Sequence, residues 1–133
     1  MEANELRVNN IVSIIGRPSG ERFNYSLPNG QSIDMIFVKR NNHDPEPIPL
    51  TEEWLVKFGF TCHWDDDYDN HVFSLIRSGN YDDVIIDPSW VSQTECNRFV
   101  IAHFDYEMDL EIKHVHQLQN LYFALTNEEL TIK

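Results

Sequence analysis

Two histidines bracket four aspartates in "HWDDDYDNH", His63 to His71. Imidazole nitrogens and carboxylate oxygens are ligands of transition metals. His63, Asp65, Asp69 and His71 would supply both kinds if this stretch folded back on itself. A metal-activated water held there would make the chain a hydrolase. A calcium loop fails position by position. Asp65, Asp67 and Asp69 fall at alternate ligand positions, but Asn70 stands where the loop needs Gly and Ile76 where it needs Glu. His43 and His103 are isolated in sequence, and His114 and His116 lie at the head of a helical pattern, where residues two apart point differently. The same stretch fits a solvated turn between two strand arms, "CHW" and "HVFSL", with Trp64 packing across to Val72 or Phe73.

A second acidic feature lies in "FDYEMDLEI", where Asp105, Glu107, Asp109 and Glu111 alternate with apolar residues. In a strand the four acids share one face. Paired carboxylates there would serve hydrolysis, but no His or Lys stands beside them at a diagnostic spacing. A solvated face of an amphipathic strand is the simpler account. The residues expected to form an interaction face are Asp65, Asp67, Asp69, Asp105, Glu107, Asp109 and Glu111.

Other chemistries are missing their motifs. The serines have no nucleophile-elbow context, and the glycines form neither a phosphate loop nor a dinucleotide fingerprint. Cys62 and Cys96 belong to no CxxC pair and are expected as partly buried thiols in a reducing compartment. No catalytic residue and no cofactor is expected.

Charge narrows the partners. Ten Lys and Arg against 22 Asp and Glu give a net charge of −12. The basic residues are scattered, so direct nucleic-acid binding and anionic membranes are disfavoured. A basic protein partner is attracted instead. One form of this is an acidic nucleic-acid mimic that fills the basic groove of a host protein. No window is long and apolar enough to span a membrane, and "MEANELRVNN" lacks a signal-peptide pattern, so a cytoplasmic setting is expected.

The elements that must position these residues follow from local pattern. The 133 residues suit a single domain, 1–133. "LRVNNIVSIIG" predicts a strand interrupted at Asn9-Asn10, and "RPSGERFNYSLPNG" a loop or irregular hairpin ending in a turn at Pro28-Asn29-Gly30. "SIDMIFVKR" predicts a strand from Ser32 to Arg40. Thr51 predicts a helix N-terminus, with Glu52 and Glu53 in the first turn, Leu50 and Leu55 as a hydrophobic staple and Gly59 as the stop. Strands follow at "FTCHW", from His71 to Arg77, in "DDVIIDP" before Pro88 and from Arg98 to Phe104. Val115, Leu118, Leu121, Tyr122 and Leu125 predict a second, longer helix, with Thr126 and Asn127 ending it. The expected fold is α+β: a mainly antiparallel sheet, open or closing into a small barrel, packed by one short and one longer helix.

Three stretches carry a resemblance. "LRVNNIV" (Leu6 to Val12), "PLTEEWLVKFGF" (Pro49 to Phe60) and "VHQLQNLYFALTNEEL" (Val115 to Leu130) resemble a family of small proteins from Bacteroidetes genomes, their phages and mobile elements. Asn9 and Asn127 stand where members of that family often carry Gly. The resemblance implies a bacterial or phage cytoplasmic setting and an accessory or host-interaction role. It carries no catalytic residues across. The expected function is therefore a non-catalytic accessory protein that binds another protein, with a homodimer through an exposed aromatic face as a further assembly to test.

Overall fold

A computed structural model describes residues 1–16, 19–37, 43–65, 70–75, 84–87, 100–103, 106–108 and 112–133. The fold is α+β, with two antiparallel sheets and three α-helices. The chain divides into two compact units, one of Met1–Pro49 with His114–Glu129 and one of Leu50–Lys113 with Leu130–Lys133.

The first unit is built on a two-stranded ladder, β1 (Ile11–Ile15) against β2 (Arg22–Ser26). The chain enters β1 through a turn at Asn9, whose φ of 70° is left-handed. Asparagine tolerates that region better than most residues. Every second amide of β1 points away from β2. Ile11 N–H goes to Gln119 Oε1, Ser13 N–H to Glu46 O and Ile15 N–H to His43 O. Among the described residues the early strands close no barrel: they form a ribbon whose far side is completed by a side chain and an irregular segment. Val12 and Ile14 join Leu6, Leu27 and Ile36 in the core, with Met1, Tyr25, Ile33 and Phe37 packed against it.

The segment expected as a strand from Ser32 to Arg40 is instead a helix, α1 (Gly30–Phe37), with residues 38–40 outside the described set. The apolar residues fit both periods, Ile33, Met35 and Phe37 for a strand, Ile33, Ile36 and Phe37 for a helix. Asn29 decides between them. Its Oδ1 accepts Ser32 N–H at 3.0 Å and the Ser32 hydroxyl at 3.1 Å, which satisfies an amide of the first turn. Ile36 is then buried and Met35 faces solvent. Asn29→Ala is expected to lower stability by about 0.5–2 kcal/mol in urea unfolding. An unchanged midpoint would show that packing of Ile36 alone holds the helix. The longer helix, α3 (Val115–Thr126), ends as expected: Asn127 takes a left-handed φ of 56° and Thr126 Oγ1 donates to Tyr122 O.

In the second unit, α2 (Glu52–Lys57) is too short to stand alone. Thr51 occupies its N-cap with extended backbone, but its hydroxyl makes no capping bond. The staple does more: Leu50 and Leu55 are both fully buried, and Leu50 N–H bonds Lys113 O at 2.9 Å. Gly59 ends the helix at φ 91°, and a Cβ there would meet the Lys133 side chain at 2.9 Å. Lys133 N–H bonds Lys57 O, which ties the tail to the helix end.

A five-stranded antiparallel meander completes this unit: β3 (Thr61–Asp65), β4 (Asn70–Leu75), β5 (Val84–Asp87), β6 (Val100–His103) and β7 (Tyr106–Met108). Its order is β3-β4-β5-β6-β7, so β3 and β7 are the edges and every neighbour is also the next strand in sequence. Among the described residues no helix is long and apolar enough to cross a membrane.

Candidate functional site

The register of the meander sorts its positions into two faces, because directly opposed residues share a face and consecutive ones alternate. Cys62 opposes Phe73, which opposes Ile86, Ile101 and Met108 in turn. Trp64 and Leu75 belong to this first face. Thr61 opposes Ser74, which leads through Ile85 and Ala102 to Glu107. His63, Asp65 and Asp87 belong to this second face by alternation. Phe73 and Leu75 are buried on the first face. Ser74 is buried on the second face.

This sorting separates the two histidines. His63 opposes Val72 and His71 opposes Trp64, so their positions fall on opposite faces of the ladder. A metal reading that needs both imidazoles on one side draws no support from that register. Asp65 shares a face with His63, while Asp67 and Asp69 lie outside the described residues. Among the described residues no group of three His, Cys, Asp or Glu side chains could hold a metal. Cys62, expected to be partly buried, is exposed because β3 is an edge strand.

The second acidic feature is placed only at Glu107, in β7; Asp105, Asp109 and Glu111 lie outside the described residues. Asp65 and Glu107 positions share the second face. They stand at opposite edges, four ladder steps apart, roughly 19 Å at the usual strand spacing. Of the two acidic features, the described positions Asp65 and Glu107 therefore lie on different edge strands.

The feature that the acid pattern did not predict is Trp64. The first face runs outward from Leu75 and Phe73 on β4 to Cys62 and Trp64 on edge strand β3. There it leaves the core: Trp64 is 52% exposed. It immediately precedes Asp65, Asp66 and Asp67, with Asp69 two residues further on. The signal in the sequence was a large aromatic residue directly before a run of aspartates.

A second unpredicted feature belongs to the first unit, where the segment from Glu5 to Ile11 lies along α3. Gln119 is 1% exposed; its Oε1 accepts Ile11 N–H and its Nε2 donates to Asn9 O. Asn120 Nδ2 donates to Glu5 O, Arg7 covers the Phe123 ring at 3.8 Å, and Arg7 Nη2 meets Glu129 at 3.0 Å. His116 is buried beneath this seam, 1% exposed, and neither ring nitrogen has a hydrogen-bond partner. Leaving a buried donor or acceptor unmet costs on the order of 1–3 kcal/mol. Its Nε2 stands 3.7 Å from Glu5 Oε2. Its ring stacks on His114 with centroids 5.7 Å apart and planes within 7°. The two histidines thus run parallel where a regular helix would splay them, because His114 is the extended N-cap and only His116 is helical. Burial pushes the His116 imidazole below its ordinary value and the His114 charge adds to that, while Glu5 opposes both.

Fold and faces together define a small α+β protein with an acid-bearing sheet face, an aromatic edge strand and a polar seam beneath one helix. The chain matches no family model, and no curated protein or solved structure matches it either.

Proposed function

We propose that the chain is a non-catalytic accessory protein whose edge strand β3 and the aspartates that follow it in sequence bind a basic protein. The observation that carries this is Trp64, half exposed on an edge strand and followed at once by the aspartates. Tryptophan is enriched among residues that dominate binding energy, because it covers a large area at little entropic cost. A charge of −12 steers a cationic partner toward the molecule, and the aspartates set its register at the rim. Glu107 stands on the far edge strand, so the epitope is centred on β3. The resemblance of the Pro49–Phe60 and Val115–Leu130 stretches to proteins of mobile elements supports an accessory role in a bacterial or phage cytoplasm.

Cys62 gives the test a handle, since it is exposed and shares a face with Trp64. In a Cys96→Ser background, a photo-crosslinker on Cys62 is expected to capture one dominant basic protein from a lysate of the encoding organism. The adduct should weaken from low to physiological salt. It should vanish in Trp64→Ala and weaken when Asp65, Asp66, Asp67 and Asp69 become Asn. No adduct at either salt, or an undiminished adduct in Trp64→Ala, would sink the proposal.

A further inference from the structure

The seam over α3 contains a titratable group that the binding epitope does not use. We propose that His116 is a proton-operated latch: protonating it releases the segment from Glu5 to Ile11 from α3. His116 is 1% exposed, and neither ring nitrogen has an acceptor or donor within hydrogen-bonding distance. The charged and titratable groups that face it are Glu5 from the short 3-10 turn Ala3–Glu5, His114 from the head of α3 and the amino group of Met1. Only Glu5 favours a proton on the ring. Its carboxylate is partly committed elsewhere, because Oε1 accepts Glu2 N–H at 2.9 Å, and Oε2 stands 3.7 Å from Nε2. A protonated ring has two N–H donors and no acceptor close enough to take either.

The closed seam therefore disfavours the imidazolium. When the segment lifts, water reaches the ring and it titrates near an ordinary histidine value of about 6.5. The folded value is the lower one, so the closed form is favoured above the open-form value. That preference is lost as pH falls below it. One unit below that value, the open population rises by up to about tenfold relative to alkaline solution. The contacts released are those that hold the segment: Gln119 to Asn9 and Ile11, and Asn120 to Glu5.

Hydrogen exchange at the Ile11 amide reads this opening directly, because Gln119 Oε1 is its partner. Corrected for intrinsic exchange chemistry, its protection is expected to fall by up to about tenfold between about pH 7.5 and pH 5.5. His116→Gln should abolish the pH dependence, and His114→Gln should keep it. Unchanged protection in the native chain, or the same fall in His116→Gln, would overturn the latch. The His116 ring resonance followed by NMR in the native chain gives a second arm that needs no variant. A midpoint below the ordinary histidine value supports the latch, and one at or above it overturns the proposal.

Discussion

Gln119→Leu is expected to destabilise the first unit by about 2–5 kcal/mol, among the largest effects of any single change considered. The side chain is buried and does two jobs at once. Its oxygen takes the Ile11 amide that β1 turns away from β2, and its nitrogen supplies the Asn9 carbonyl at the left-handed turn. Leucine fills a similar volume but strips the buried Ile11 amide of its acceptor and the part-buried Asn9 carbonyl of its side-chain donor. Each loss falls in the range of about 1–3 kcal/mol. Gln119→Glu keeps the acceptor but at neutral pH buries a carboxylate against the Asn9 carbonyl, so a loss at least as large is expected, relieved at acid pH where the protonated acid donates to that carbonyl. All three tryptophans lie between Leu50 and Lys113, so their fluorescence reports the second unit. Circular dichroism in urea and exchange at Ile11 should register the change in the first. A loss under about 1 kcal/mol would mean that water replaces the carboxamide.

Phe58→Ala is expected to remove about 3–5 kcal/mol from the second unit. Phe58 is fully buried, packs its ring 5.8 Å from Trp54 and donates its amide to Trp54 O at the helix end. A helix of this length persists only through such contacts. Removing the ring leaves a cavity beside Trp54 on the buried side of the short helix. Val56, next but one in sequence, is 60% exposed, and Val56→Ala should stay within about 0.5 kcal/mol. The midpoint of tryptophan fluorescence against urea separates the two variants. Equal shifts would contradict the burial pattern.

Much of the fold was legible because local chemistry and packing agree. Val84–Asp87 stops before Pro88 as the residue preceding proline requires. Leu50 and Leu55 flank the cap of α2, and Asn127 ends α3 with the left-handed φ that asparagine accepts. Asn9 also takes a positive φ, at the turn into β1. The failure at α1 has one cause: its apolar residues satisfy two periods, and the deciding bond comes from Asn29, which had been assigned to a turn.

The site was less legible, for a different reason. The periodic pattern of α3 marks Val115, Leu118 and Tyr122, all buried, but also Leu121 and Leu125, which are only partly so. The stripe is completed by His116 and Gln119, which a binary pattern scores as surface. Their role depends on backbone groups more than a hundred residues away, the Ile11 amide being 108 positions from Gln119. Conversely, acids were conspicuous in composition, whereas sheet register assigned Asp65 and Glu107 to separate edges and brought Trp64 forward. Composition counts charges; register decides which of them can meet one partner.

The central claim is that Trp64 anchors a basic protein partner. Calorimetric titration of the purified captured partner, against the native chain and Trp64→Ala at low and physiological salt, tests it most directly. The account predicts that Kd rises at least about 30-fold in Trp64→Ala, the loss of a dominant contact of about 2 kcal/mol. It also predicts weaker binding of the native chain as salt rises. Equal affinities for the two chains, or binding indifferent to salt, would contradict it.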